Sequence, residues 1–301
     1  MWYEHLGNRA IVLGRYAVSA CDTFLRLVRM RPGAIVVTQP PIVAALVAML
    51  YGRLTRTPVL LDSHPQAFGR KGNRVWRALL PLHAALARRA RVNLVASENL
   101  ADVVRSWGAR VELFHEAPPL WPVVPPAPLR PRPRVLWVSI FAQDEPLDEV
   151  LAAAHRLPDV DFQITGNVVK LSPETLARAP ENVEFVGLRW GPAYGELVAG
   201  ADVLLVLTTE RGSVPRAAYE AVYARRPLVV TDGPELNRFF PFAVPVRSDA
   251  DGIARGVREA LDRYDELVER ADEAAAVQAE RWRAQLARIA TYLDAGPPRG
   301  R

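Results

Sequence analysis

Short apolar runs alternate with longer helical patterns along almost the whole chain. This alternation is typical of parallel β-sheets, because parallel strands need crossover connections and helices usually supply them. It therefore predicts an α/β fold. The predicted strands are 34–38, 58–62, 92–96, 111–114, 135–139, 161–165, 183–186, 203–207, 228–231 and 244–246. The predicted helices are 41–54, 73–89, 98–107, 146–156, 173–178, 192–199, 215–224, 250–270 and 274–293.

A proline-rich segment, 117–133, separates two groups of strands and helices. Eight of its seventeen residues are proline, and such a stretch sustains neither a helix nor a central strand. We predict an interdomain linker there, between an N-terminal domain at 1–116 and a C-terminal domain at 134–273. The remaining residues, 274–301, are expected to form a helix that packs on both domains and a disordered tail.

Composition limits the classes of partner. The net charge of +5 and the pI of about 9.6 suit phosphate-bearing ligands or an anionic membrane surface, but the surplus is too small to indicate nucleic acid binding. The single cysteine, Cys21, excludes an intramolecular disulfide and is expected in the core. No secretory signal is convincing, and the apolar stretches 10–28 and 41–51 are expected to be buried helices.

Ligands of open parallel sheets bind beyond the carboxyl ends of the strands. The dinucleotide fingerprint, the phosphate-binding P-loop and the nucleophile elbow are all absent from the sequence, which disfavours dehydrogenases, NTPases and α/β-hydrolases. The histidines and the cysteine lack metal-ligand spacing. We expect neither a structural zinc nor a cofactor.

The segment after the predicted strand at 203–207 has the features of a diphosphate site. Pro215 can occupy the first turn of the following helix, whose N-terminus would offer free backbone N–H groups to an anion. Arg216 adds a guanidinium beside it. Glu220 lies four residues further on, on the same helix face, where its carboxylate can accept hydrogen bonds from ribose hydroxyls. The alternative is an ordinary exposed helix pair worth about 0.3–0.5 kcal/mol.

This region resembles the donor-binding region of glycosyltransferase family 4 and related retaining enzymes with the GT-B fold. The matching residues are VPRAAYEA at 214–221 and RPLVVTD at 226–232. Upstream, NVEFVG at 182–187 and ADV at 201–203 also fit the family pattern. The resemblance implies two doubly wound, Rossmann-like domains that face a cleft.

The resemblance also implies an activity: transfer of a sugar from a nucleoside-diphosphate sugar to a hydroxyl of a glycan or a lipid-linked acceptor, with retention of configuration. The family's helix glutamate binds the nucleotide ribose, and this role passes to Glu220. Its basic residue near the diphosphate corresponds to Arg216. In the first half, Gln39 and the run Asp62-Ser63-His64 look like the acceptor side of such enzymes.

The sequence departs from the family pattern in the donor region. The usual Glu-x7-Glu motif would place an acidic residue at position 212, where this chain has glycine. Glu210 is the nearest substitute that could touch the transferred sugar. The Arg and Lys that commonly follow the first C-terminal strand are missing, and the acidic run SIFAQDE at 139–145 stands there. The diphosphate would then take its positive charge from Arg216, Arg189 or Lys170, with Thr209 and Ser213 as further donor-site candidates.

The first strand and glycine-rich loop that open GT-B enzymes are also missing, so the N-terminal sheet is expected to have an unusual edge. This feature favours one rival interpretation, a non-catalytic GT-B partner subunit or binding module. A second rival is a nucleotide-sugar epimerase of the same architecture. That enzyme would need acidic and histidine groups around the sugar instead of an acceptor groove.

The remaining candidates have competing interpretations. His64 could act as an acceptor contact or base, or it could cap the turn with Asp62 and Pro65. Tyr219 and Trp190 are interpreted as packing residues. A basic cluster could bind anionic lipid or be a solvated helix face. Its members are Arg53, Arg56, Arg70, Lys71, Arg74, Arg77, Arg88, Arg89 and Arg91, interleaved with Val75, Trp76, Leu79 and Leu80.

Overall fold

A computed structural model describes residues 9–69, 74–210 and 213–294. Arg70, Lys71, Gly212 and the predicted tail lie outside these residues. The chain divides into two compact units. Glu116–Arg283 forms the second unit, and the described residues on either side of it form the first. No helix among the described residues has the length and apolarity that a membrane span requires.

The first unit contains a four-stranded parallel sheet. Its strands are β1 (Ile35–Gln39), β2 (Val59–Ser63), β3 (Val92–Val95) and β4 (Val111–Leu113), and they lie side by side in chain order. Its helices are α1 (Arg9–Met30), α2 (Ile42–Thr55), α3 (Arg74–Arg89) and α4 (Glu98–Ser106). Because each strand pairs with the one before it and the one after it in the sequence, β1 lies at one edge of the described sheet.

The two faces of this sheet are covered by different parts of the chain. Val59 and Leu61 on one face pack with residues of α1, α2 and α3, and Val95 on the same face packs with α4. On the opposite face Leu60 and its neighbours Val92 and Leu94 pack with Ile289, from the last helix of the chain. The sheet therefore differs in one detail from the expected doubly wound unit, since its second cover comes from the far end of the sequence.

The second unit contains a six-stranded parallel sheet in the order β10-β9-β8-β5-β6-β7. These strands are β5 (Arg134–Trp137), β6 (Asp161–Thr165), β7 (Val183–Gly187), β8 (Val203–Val206), β9 (Leu228–Thr231) and β10 (Val244–Val246). The helices that follow are α5 (Leu147–His155), α6 (Pro173–Ala177), α7 (Gly191–Gly200), α8 (Arg216–Tyr223), α9 (Pro234–Phe239), α10 (Ala250–Asp262) and α11 (Tyr264–Asp294). The strand order reverses between β5 and β8, as in doubly wound folds.

Both faces of this sheet are buried under helices. One core joins alternate strand residues such as Val135 and Leu205 to α5 and α10. The other joins Leu136 and Leu204 to α7, α8 and the first part of α11. Strands buried on both faces explain why the sequence shows continuous apolar runs here instead of alternation.

The prediction of two parallel α/β units is confirmed, and each of the ten predicted strands is present within a residue or two of its expected position. The helix boundaries near the end were wrong, because α10 stops at Asp262 and α11 runs unbroken from Tyr264. The expectation of a buried helix over 10–28 was also wrong, since Val18 and Leu25 are exposed. Cys21 is exposed too, not in the core.

The proline-rich segment 117–133 contains neither helix nor strand. By its contacts it belongs to the second unit. Its Trp121 is buried and packs edge to face on Tyr194 of α7, with ring centroids 6.2 Å apart. The segment is thus anchored on the second unit by an aromatic contact.

Candidate functional site

The carboxyl ends of β5 and β8 form the topological switch point of the second unit. Open α/β sheets bind ligands at this position, because the loops after the two strands diverge and leave a crevice. The two loops are 138–146, after β5, and the described residues 207–210 and 213–215, after β8. The predicted donor-site residues on the second loop therefore lie where the fold favours a ligand.

The acidic loop after β5 is folded around one of its own carboxylates. Glu145 Oε2 accepts hydrogen bonds from Ser139 Oγ (2.7 Å), Ile140 N (3.1 Å) and Ala142 N (2.8 Å). Phe141, between the two amides, has a positive φ of 56°. Backbone amides turned inward in this way form an anion-binding nest, and here the anion is internal to the chain.

The neighbouring Asp144 connects the two loops of the switch point. Its carboxylate accepts a hydrogen bond from Thr208 Oγ1 at 2.7 Å, and its backbone carbonyl accepts from the amide and hydroxyl of Thr209 at 2.8 and 3.1 Å. The hydroxyl of Thr209 is thus already used within the protein. Glu210 is exposed, and its amide donates to Thr208 Oγ1 at 3.1 Å.

Pro215 ends the loop after β8 and occupies the N-cap position of α8, which begins at Arg216. Proline's fixed φ and missing N–H suit this place, although we expected it one position later, in the first turn. Ser213, two residues before it, is half-buried, and its amide donates to the Glu210 carbonyl at 3.4 Å.

Arg216 and Glu220 form the centre of a four-residue cluster. Arg216 Nε donates to Glu220 Oε1 at 2.8 Å, and Tyr194 of α7 donates to Glu220 Oε2 at 2.7 Å. Arg216 Nη1 also donates to Glu116 Oε2 at 3.2 Å. The Glu220 side chain is 9% exposed and that of Arg216 54%. The pair is therefore not the ordinary exposed helix pair that the sequence left as an alternative.

The ionisation of this cluster follows from its contacts. The hydrogen bond to Glu220 raises the pKa of Arg216 further, so its cation is permanent. Burial, followed by the nearby Glu220 charge, raises the pKa of Tyr194. Its hydroxyl therefore stays protonated and acts as a hydrogen-bond donor to the carboxylate.

The other two predicted cations lie on neighbouring loops. Lys170 Nζ donates to the Ile140 carbonyl at 2.9 Å, which brings it to the loop after β5. Arg189 follows β7, and its Nη1 donates to the Leu188 carbonyl at 3.3 Å. The packing interpretation is confirmed for Tyr219, which is 2% exposed, but was wrong for Trp190, which is 74% exposed.

The acceptor-side candidates lie together at the carboxyl ends of β1 and β2. Gln39 is paired with Ser63 across the two strands, and the His64 amide donates to the Gln39 carbonyl at 3.0 Å. Asp62 Oδ2 lies 3.2 Å from Thr38 Oγ1 and 3.4 Å from His64 Nε2. Gln39 is buried, and its Nε2 finds no acceptor among the described residues. His64 stands at the N-cap of a short 3₁₀ turn, without a side-chain capping bond.

A residue that the sequence did not single out, His83 of α3, completes this polar group. Its Nε2 lies 3.3 Å from Ser63 Oγ, and its Nδ1 lies 3.1 Å from the Ala67 carbonyl. The carbonyl can only accept, so Nδ1 carries the proton and Nε2 accepts from the serine. The ring also contacts Phe68 and Trp107, at centroid distances of 5.1 and 5.0 Å. His83 is 1% exposed, and burial lowers its pKa.

We expect His83→Gln to lower the free energy of unfolding at neutral pH by about 1–3 kcal/mol, the typical effect of disrupting a buried hydrogen bond. The lowered pKa gives a pH signature. Below about pH 6.5, the pKa of histidine in the unfolded state, His83 binds a proton in the unfolded chain but not in the folded one. The free energy of unfolding of wild type therefore falls as the pH is lowered from there to the folded-state pKa. The difference between variant and wild type should shrink between about pH 7.5 and pH 5.5 in urea titrations. The exposed His155→Gln serves as control, and a constant difference across this range would contradict the prediction.

In the part of the chain that the structure describes, no group of three or more His, Cys, Asp or Glu side chains is arranged to hold a metal ion. Among the described residues, Arg216 places a cation at the start of α8, where the diphosphate is predicted to bind. An arginine can bind a phosphate through two parallel hydrogen bonds.

The fold is similar to those of several solved structures. Sucrose-phosphate synthase from Thermosynechococcus elongatus matches with a TM-score of 0.74 at 15% identity, over 95% of this chain and 79% of that one. Anabaena HepE in complex with UDP and glucose matches with a TM-score of 0.68 at 15% identity, over 86% and 77%. The apo structure of OtsA matches with a TM-score of 0.66 at 14% identity, over 96% and 79%.

These neighbours are glycosyltransferases of the GT-B fold, and the likeness shows that the two units have that fold. No protein-family model matches the sequence, and no curated protein matches it. Membership of glycosyltransferase family 4 therefore stays a prediction.

Proposed function

We propose that this protein is a glycosyltransferase that transfers a sugar from a nucleoside-diphosphate sugar to an acceptor hydroxyl, with retention of configuration. The observation that carries the proposal is the Glu220 carboxylate, fixed by Arg216 and Tyr194 on the helix that leaves the switch point. A carboxylate has about four acceptor positions, and these two donors use two of them. The others suit the paired hydroxyls of a ribose.

In this proposal Arg216 binds the diphosphate. More than half of its side chain is exposed, and its guanidinium keeps N–H groups beyond those given to Glu220 and Glu116. Ser213 and Thr209 lie on the preceding loop, and Lys170 and Arg189 add positive charge after β6 and β7. Negative charge grows on the departing nucleoside diphosphate during transfer, and fixed cations stabilise it without a metal ion.

The neighbours suggest where to begin the search for the donor. Structures of Anabaena HepE contain UDP, UDP with glucose, and UDP-glucose. Uridine nucleotides are therefore the first to test. On the same proposal, Glu210 touches the transferred sugar, and Gln39, Asp62, Ser63 and His64 contact the acceptor, with His64 as its base. The acceptor is a glycan or a lipid-linked molecule with a free hydroxyl.

The proposal is tested by thermal melting of the wild-type protein with UDP, GDP, ADP and CDP and with their sugars. A ligand that binds only the folded state raises the melting temperature, and we expect one base to do so. The matching sugar nucleotide should then lose its sugar to an added acceptor or to water. Binding without transfer would favour the non-catalytic partner subunit, and interconversion of the sugar without transfer would favour an epimerase. A folded protein that binds none of the nucleotides would contradict the proposal.

We also propose that the protein works on the cytoplasmic face of an anionic membrane. Support comes from exposed apolar side chains on neighbouring helices of the first unit: Val18 and Leu25 of α1 are 70% and 66% exposed, and Leu50 and Leu54 of α2 are 53% and 66% exposed. Apolar residues flanked by cations suit the interface of an anionic bilayer. The exposed arginines on or beside these helices include Arg29, Arg53 and Arg56.

We expect the protein to sediment with phosphatidylcholine vesicles that contain phosphatidylglycerol, and less at high salt because screening weakens the attraction. Changing Leu25 and Leu54 together to serine should reduce this binding. Leu176→Ser, at an exposed leucine of the second unit, is the control and should leave it unchanged. Equal sedimentation of both variants with these vesicles would contradict the proposed surface.

A further inference from the structure

Glu220 is an ionisable residue in a costly position. Its side chain is 9% exposed, and a buried carboxylate is stable only when donors replace the water that it loses. The two donors reach it from different helices, α8 for Arg216 and α7 for Tyr194. Each takes a different carboxylate oxygen, at 2.8 and 2.7 Å. Together they fix the plane of the carboxylate, which neither could do by itself.

The two donors differ in how firmly they are held. Arg216 is long and more than half exposed, and it also binds Glu116. Tyr194 has only two rotatable side-chain torsions, and its ring packs edge to face on buried Trp121. At the next residue, Gly195, a Cβ would lie 2.9 Å from Trp121, so the indole lies directly against the α7 backbone. The position of the Tyr194 hydroxyl is therefore set by the core, and that of Arg216 by its two ion pairs.

This difference matters when a diphosphate arrives. An anion bound at the remaining N–H groups of Arg216 shares the positive charge of that guanidinium with Glu116 and Glu220. The attraction between Arg216 and Glu220 is therefore reduced when ligand binds. Tyr194 is uncharged and therefore does not attract the phosphate. Its raised pKa keeps the hydroxyl protonated near neutral pH, so it remains a hydrogen-bond donor to Glu220. It is the contact that can keep Glu220 in place in the bound state.

We infer that Tyr194 is a positioning residue that holds the Glu220 carboxylate in the orientation that recognises the ribose hydroxyls of the donor. The inference rests on the proposed function and names a determinant of its specificity. Tyr194 acts through Glu220 and needs no contact with the nucleotide. Its loss should therefore affect the recognition of the ribose more than that of the base or the diphosphate.

The test compares ribonucleotides with their 2′-deoxy forms. UDP, GDP, ADP and CDP and the four deoxy counterparts are titrated against wild type and Tyr194→Phe, which keeps the ring and its contact with Trp121. We expect wild type to bind the preferred ribonucleotide roughly tenfold or more tightly than its deoxy form, as a hydrogen bond to a charged group allows. In Tyr194→Phe this ratio should fall to roughly threefold or less, while affinity for the deoxy form stays nearly unchanged.

Tyr264→Phe is a matched control, because Tyr264 is a buried tyrosine of the second unit and its hydroxyl donates to a backbone carbonyl, that of Ala127, at 2.8 Å. This variant should keep the wild-type ratio. If Tyr194→Phe keeps it too, the inference is wrong and the proposed function stands. If both variants lower affinity for the ribo and deoxy forms equally, Tyr194 has only a structural role and the inference is also wrong.

A second arm needs no ligand. Thermal melting of Tyr194→Phe, Glu220→Gln and the double variant measures the coupling between the two side chains, and we expect the two effects to be clearly non-additive. Additive effects would overturn the inference whatever the nucleotides do. If the two side chains are coupled but the wild-type protein binds none of the nucleotides, the proposed function is wrong, and this inference with it.

Discussion

Glu220→Gln is expected to weaken nucleoside-diphosphate binding by roughly 10–100-fold, which corresponds to the loss of a charge-assisted hydrogen bond of about 1.5–3 kcal/mol. The glutamine amide has the size of the carboxylate, but an NH₂ group, which donates hydrogen bonds, replaces one of the two accepting oxygens. That end must face either Arg216 or Tyr194, both of which donate to Glu220. The side chain would have to turn, and the acceptor positions for the ribose would be lost. Isothermal titration with the nucleotide that stabilises wild type measures the effect.

The control for this variant is Glu196→Gln. Glu196 is an exposed residue of α7, the helix that carries Tyr194. It changes the charge of the second unit by the same amount and should leave affinity unchanged. Equal weakening by the two variants would mean that general electrostatics binds the nucleotide. Wild-type affinity in Glu220→Gln would remove Glu220 from the site.

Glu145→Ala is expected to lower the free energy of unfolding of the second unit by about 3 kcal/mol, since hydrogen bonds to a charged group contribute about 1.5–3 kcal/mol each and are not additive. The change removes the acceptor of Ser139 Oγ and of the Ile140 and Ala142 amides. Water can reach part of this loop, so the loss should be smaller than the sum of three bonds. Urea unfolding followed by tryptophan fluorescence measures it.

Gln143→Ala is the control in the same loop, because Gln143 is exposed. It should change stability by less than about 0.5 kcal/mol, as surface substitutions usually do. A similarly small effect of Glu145→Ala would show that solvent replaces the carboxylate without cost. The nest would then be open to other anions, and added phosphate should stabilise the variant.

The fold could be predicted from the sequence because the inner strands of both sheets are largely buried on both faces and appear as short apolar runs. Helix boundaries were harder. Nothing in the composition around Arg263 marks the end of α10 or the start of α11 at Tyr264. The exposure of α1 was missed because apolar content was taken as a sign of burial. Among the side chains of α1 that the structure describes, Phe24 and Leu27 pack on the core, but Val18 and Leu25 are exposed.

The site was predictable only where its residues are close in sequence. Arg216 and Glu220 are four positions apart on one helix, so periodicity places them together. Tyr194 and Glu116 reach the same cluster from 26 and 100 residues away. His83 reaches Ser63 from 20 residues away. No local pattern signals such pairings, because tertiary packing decides them. The acidic loop at 139–145 looked unfavourable for a phosphate for a similar reason. The sequence does not show that Glu145 accepts hydrogen bonds from backbone amides of its own loop.

The cover that the end of α11 gives to the first sheet has a consequence for synthesis on the ribosome. Leu60, Val92 and Leu94 emerge from the ribosome long before Ile289, which packs on them. The second unit, Glu116–Arg283, is continuous and can close its core first. One apolar face of the nascent first sheet therefore lacks this cover until Ile289 and the second unit before it have been made. Chaperones would meet the chain at this face during that interval.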